Sequence, residues 1–132
     1  MITQDGRKLQ TMYLDIYDDS QKLQTITVRA DIDSYTSSKL SKTITRLLKR
    51  GASFLVIDLG EVKHIDSSGL GVLCATAKIL RQKGGALSLV ITSPHLSRFF
   101  NITGFDRIMS LHGSVAAAQS ACRHEAQRQA VA

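Results

Sequence analysis

Between positions 64 and 69 the chain reads His64-Ile65-Asp66-Ser67-Ser68-Gly69, its densest run of side chains able to do chemistry. Two chemistries are open to such a run. One is a modifiable serine at a helix start, where free N–H groups and the helix dipole tolerate an added phosphate. The other is a nucleophile–base pair, with His64 as the base. The capping register decides between the hydroxyls. If Asp66 caps the helix, its carboxylate accepts from first-turn N–H groups and Ser67 takes the first helical position with its hydroxyl free. If Ser67 were the cap, the backbone would occupy its oxygen. The Asp66 register therefore makes Ser67 the better phosphoacceptor and Ser68 the second choice. His64 reads as an exposed loop residue, and a plain helix start is the competing account of Ser67 taken alone. No GxxxxGK[ST], GxSxG or HExxH is present, so a non-enzymatic role is expected.

The other reactive side chains are dispersed. Cys74 and Cys122 lack CxxC spacing and fall in helix-like segments, where small buried thiols are ordinary. His64, His95, His112 and His124 show no metal-ligand spacing, so neither a metal nor another cofactor is expected. The net charge of +6 raises the question of an acidic partner or nucleic acid. The basic residues, however, are spread over outer helix faces (Lys39, Lys42, Arg46, Lys49, Arg50, then Lys78, Arg81, Lys83), without interleaved aromatics or a nucleic-acid motif. Nucleic-acid binding is not expected. No apolar run nears the roughly 18 residues of a membrane span, and the first ten residues hold no signal-peptide core. The expectation is a soluble cytoplasmic protein with no membrane partner.

Gly69 and Gly71 are costly in a helix, each by about 1 kcal/mol against Ala. Either something approaches the backbone closely, or the helix packs tightly inside the fold; both stay open. Around the helix, Leu70, Leu73, Ala77 and Leu80 form the core face, while Gly71, Lys78 and Gln82 should be wet. Val72, Ala75 and Ile79 form a flank that either packs under a neighbouring helix or leaves an apolar docking patch beside the serine.

The elements that position this run follow from periodicity. Residues 11–18 alternate through Met12, Leu14 and Ile16, Asp18-Asp19-Ser20 is a turn cluster, and Leu23–Val28 alternates again, predicting a hairpin. Leu40, Ile44, Leu47 and Leu48 predict a helix over 36–50, stopped by Gly51. Short apolar runs at 54–59 and 86–91 predict buried strands, and 67–83 a helix. Pro94 opens a short helix closed by Gly104, residues 108–111 form a last strand, and 114–129 an Ala-rich helix. Strand–helix–strand units impose parallel neighbours through right-handed crossovers. The predicted fold is α/β: a mixed central sheet, hairpin plus parallel strands, packed with about four helices. With 43% hydrophobic residues and no linker or repeat, residues 1–132 read as one domain, loose at 1–10 and from about 126 onward.

Three segments carry a family resemblance: DLGEVKHIDSSGLGVL (58–73), NITGFDRIMSLHGSVAAA (101–118) and, more weakly, DIDSYTSSKL (31–40). In this order and spacing they resemble the STAS domain, in particular the free-standing anti-sigma factor antagonists of bacteria. Ala30 departs from the pattern, standing where the family often has Gly. The resemblance implies that the unphosphorylated chain binds an anti-sigma factor that is also a serine kinase with a histidine-kinase-like ATP fold. It implies phosphorylation at Ser67, the first serine of DSSG, and reversal by a PP2C-type phosphatase. It also implies a partner surface comprising Asp33, Ser34, Thr36, Asp66, Ser68, Gly69, Leu70, Gly71, Val72 and Ala75. The same fold also serves in stressosome-like scaffolds and lipid-transport complexes, which makes a scaffold or adaptor subunit the alternative.

Overall fold

The structure is a computed structural model that describes residues 14–18 and 22–131. Its elements in chain order are β1 (Leu14–Asp18), β2 (Leu23–Val28), α1 (Ser34–Lys49), β3 (Phe54–Asp58), α2 (Ser67–Gln82), β4 (Ala86–Val90), α3 (Pro94–Thr103), β5 (Ser110–His112) and α4 (Val115–Val131). A 3-10 turn, Phe105–Arg107, joins α3 to β5. The strands form one sheet in sequence order, β1 antiparallel to β2 and the rest parallel. The hairpin and the mixed sheet are as expected; Met12 and the turn at Asp19-Ser20 lie outside the described residues, as do 1–10.

Alternation along the strands divides the core. Ile26 and Val28 on β2, Leu55 and Ile57 on β3, and Leu87 and Leu89 on β4 face one cluster with Leu40, Ile44 and Leu47 of α1, Leu73, Ala77 and Leu80 of α2, and Phe100 of α3. The intervening residues, among them Leu23, Phe54, Val56 and Val90, meet Ala118 and Cys122 of α4 on the other face. At roughly 1.5–3 kcal/mol per fully buried large aliphatic side chain, this two-sided burial holds the sheet as a rigid platform.

Three boundaries differ from expectation. The last strand begins at Ser110 rather than 108, because Phe105–Arg107 winds one 3-10 turn after Gly104, whose φ of 82° ends α3 in the left-handed region. α1 begins at Ser34, two residues early, because Asp33 caps it. α4, expected over 114–129, runs from Val115 to Val131, and Gln129 Nε2 donates to the Gly84 carbonyl at 2.8 Å.

Candidate functional site

Two helix starts meet above the C-terminal ends of the parallel strands. Residues 31–33, which enter α1, are strapped to residues 63–66, which enter α2. Ile32 N–H donates to the His64 carbonyl and Asp66 N–H to the Ile32 carbonyl, each at 3.0 Å, forming a one-residue parallel bridge between Ile32 and Ile65. The Asp31 carboxylate accepts from Lys63 N–H at 2.8 Å and His64 N–H at 3.1 Å. Each helix then opens on a capping aspartate.

Asp66 caps α2 as the register required: its Oδ1 accepts from Gly69 N–H at 3.0 Å and from the Ser68 hydroxyl at 2.6 Å. Ser67 is thereby the first helical residue. It is exposed, and its hydroxyl has no hydrogen-bond partner among the described residues. Ser68 is half-buried and committed: besides donating to Asp66 it accepts from Ser37 Oγ of α1 at 3.1 Å. The same geometry sets the carboxylates. Donation from Ser68, then from Gly69 N–H, holds Asp66 below the ordinary aspartate range, against the neighbouring charge of Asp33. Asp33 is lowered chiefly by Thr36 N–H and the Thr36 hydroxyl. Both aspartates are therefore ionised at neutral pH. His64 contributes backbone bonds to the strap, and among the described residues no hydrogen bond joins its ring to Ser67.

Several expected partner contacts are placed differently. Thr36 is buried, and its hydroxyl accepts from Asp33 N–H at 2.7 Å and donates to the Asp31 carbonyl at 2.9 Å. It completes a capping box with Asp33, so its side chain holds the loop and cannot face a partner. Gly69 is also buried: a Cβ there would stand 2.6 Å from Ile32 Cγ2 and 2.9 Å from Ile65 Cγ2. Its lack of a side chain serves packing. Leu70 is half-buried against the main core. The exposed members of the expected surface are Asp33, Ser34, Asp66, Gly71 and Ala75, with Val72 half-buried.

Gly71 is the opposite of Gly69, because a Cβ there would meet nothing within 4 Å. The Val72–Ala75–Ile79 flank packs only partly under its neighbour. It forms one wall of a groove of about 330 Å³, with Ser41, Ile44, Thr45 and Leu48 of α1 as the other, and Ile79 stays 44% exposed. Periodicity did not single out Ser37, since nothing local distinguishes it from Ser38; only its burial against α2 reveals the bond to Ser68.

Among the described residues, no three His, Cys, Asp or Glu side chains are grouped to hold a metal ion. Nor, among them, is any helix long and apolar enough to cross a membrane. Cys122 of α4 is buried against the sheet, with Sγ 3.6 Å from Ser88 Oγ, and burial raises its thiol pKa.

An antiparallel hairpin leading into parallel strands, with an acid-capped helix presenting a free serine beside a second capped helix, defines a small α/β domain with a mixed sheet. The sequence profile of the STAS domain matches residues 17–118, and the chain belongs to the STAS domain family. It is 36% identical over 86 residues to an anti-sigma-B factor antagonist of Bacillus subtilis, covering 65% of this chain and 78% of that protein. In structure it resembles an anti-sigma factor antagonist from Mycobacterium paratuberculosis, with a TM-score of 0.76 and 26% identity over 86% of this chain and 95% of the other. It shares its fold, at 16% identity, with the antagonist SpoIIAA. The TM-score is 0.73 for the unphosphorylated form, over 85% of this chain and 97% of the other. For the phosphorylated form, from Bacillus, it is 0.66 over 83% and 99%.

Proposed function

We propose that this chain is an anti-sigma factor antagonist that acts by binding rather than by catalysis, with Ser67 as its switch. Unphosphorylated, it captures an anti-sigma factor that is also a serine kinase with a histidine-kinase-like ATP fold. The kinase transfers the γ-phosphoryl group of ATP to Ser67 Oγ; ADP leaves and the hydroxyl proton is released. A PP2C-type phosphatase hydrolyses the ester with water, returning the serine and inorganic phosphate. The names of the relatives support the assignment of class. The observation that carries the choice of residue is the free, exposed Ser67 hydroxyl beside a Ser68 hydroxyl already spent on Asp66.

The local physics supports an on/off response. Phosphate adds about −1.5 to −2 charge at neutral pH. At the first position of α2 that charge meets the positive end of the helix dipole, so the domain stays folded. A partner seated over the site must strip water from the dianion next to two ionised aspartates. An uncompensated desolvated charge costs about 3–4 kcal/mol, which weakens binding by two to three orders of magnitude.

The test is incubation with the cognate anti-sigma kinase and ATP, with the phosphate mapped by mass spectrometry. Ser67→Ala should lose all labelling and keep its melting temperature; Ser67→Asp should fold and bind the kinase poorly. Labelling that persists in Ser67→Ala, or incorporation from ATP without any kinase, would overturn the proposal.

A further inference from the structure

The groove between α1 and α2 is held open by its own construction. At its N-terminal end Ser37 of α1 is bonded to Ser68 of α2. At the other end Lys83, which follows α2, donates to the Leu48 carbonyl at 3.2 Å and the Ala52 carbonyl at 2.9 Å. Between these ties lie Gly71, with open space where a Cβ would stand, and the exposed Ala75 and Ile79. A glycine in a helix interior that relieves no contact inside the fold costs stability for nothing internal. From Ser68 to Ile79 the groove runs about 16 Å, three turns of a helix.

Charge identifies the occupant. α1 and α2 carry Lys39, Lys42, Arg46, Lys49, Lys78 and Arg81 and no acidic residue. By periodicity Lys42 and Lys49 fall on the solvent side of α1's groove stripe and Lys78 on that of α2, and all three are exposed. Asp33 and Asp66 stand only at the N-terminal mouth, next to Ser67.

We propose that this groove seats one amphipathic helix of the anti-sigma partner, aliphatic on the buried side and acidic on the flanks that lie over Lys49 and Lys78. This rests on the proposed function and extends it, since the groove begins at the residue after the switch. A dianion on Ser67 stands at the mouth and repels the acidic ligand. A bilayer would meet the lysines, but a flat surface does not fill a groove walled by two helices. Nucleic acid would leave the aliphatic wall unused.

The test uses the full chain and a fluorescein-labelled helical peptide of about 15 residues, with Leu at i, i+3, i+4 and i+7 and Glu on both flanks, read by anisotropy and by amide NMR shifts. The Glu peptide should bind, shift α1 and α2 amides, and weaken in about 0.5 M salt. Lys49→Glu with Lys78→Glu, and separately Gly71→Leu, should each weaken it about tenfold. Gly71→Leu should melt no lower than the parent, which separates a blocked groove from a damaged fold. Equal binding of a peptide with Lys in place of Glu, or unchanged affinity in these variants, would overturn the proposal. So would failure of the Glu peptide, whether or not phosphatidylglycerol vesicles or duplex DNA bind instead. Peptide binding in the groove without kinase labelling at Ser67 would sink the switch and leave the groove standing; labelling without peptide binding would do the reverse.

Discussion

Gly69 and Gly71 lie two residues apart in one helix, and the same substitution at each should move stability in opposite directions. At Gly69 a methyl group would land 2.6 Å from Ile32 Cγ2, 2.9 Å from Ile65 Cγ2 and 3.2 Å from Ile32 Cβ. These are stiff β-branched side chains, and Ile32 is only 1% exposed and bonded through its backbone to both His64 and Asp66. Nothing there can swing aside, so the strap between the two helix starts must shift. Overpacking of this kind costs about 1–3 kcal/mol, while removing a helical glycine returns at most about 1 kcal/mol. The net effect of Gly69→Ala is a loss of about 1–2 kcal/mol. At Gly71 the methyl group enters open space and only the propensity gain remains, about 1 kcal/mol in favour of the fold. For a domain of this size 1 kcal/mol moves the melting temperature by roughly 3–5 °C, so the two variants should straddle the parent and differ by about 10 °C. Urea unfolding at constant m-value and calorimetry both read this out. If Gly69→Ala melts at or above the parent, the account of Gly69 as a packing glycine is wrong.

Other outcomes follow from the same geometry. Thr36→Val keeps the volume but strips the capping box of its hydroxyl; it should cost about 1–2 kcal/mol in urea unfolding, and a neutral result would show the loop held otherwise. Asp33 and Asp66 titrate below their unfolded values, so their contribution is whole above the ordinary aspartate range and is lost as pH falls through the lowered folded values. An Asp33→Asn, Asp66→Asn double variant should therefore show a flatter acid limb of stability against pH, and an unchanged limb would refute it. Iodoacetamide should alkylate half-buried Cys74 well before Cys122, whose thiol is buried against the sheet; equal rates by mass spectrometry would contradict that placement.

The elements were legible because their signals are local. Alternation in β2, aliphatic runs bounded by glycine in β3 and β4, and the Pro94 and Gly104 punctuation of α3 depend on neighbours within a few positions. The Asp66 register was legible for the same reason, since a cap and the residue it frees are adjacent. Thr36 was misplaced because its spacing from Asp33 is a capping signal with Thr where Glu or Gln is usual, and only the fold shows the side chain turned inward. The last strand was placed two residues early because the apolar run from Ile108 reads as the start of a strand, whereas the chain is still leaving the 3-10 turn there.

By itself the chain determined which residues form strands and helices, that Asp66 caps α2, and that Ser67 follows it with a free hydroxyl, all consequences of backbone hydrogen bonding over three or four residues. Tertiary structure alone decided the rest: that Ser68 is also tied to Ser37, that one glycine is pressed against Ile32 while the other faces open space, and that two cationic helices leave a groove between them. Those outcomes depend on contacts between segments some thirty residues apart. Such contacts arise when burial of the two cores brings α1 and α2 side by side, and no local pattern encodes the separation at which they settle.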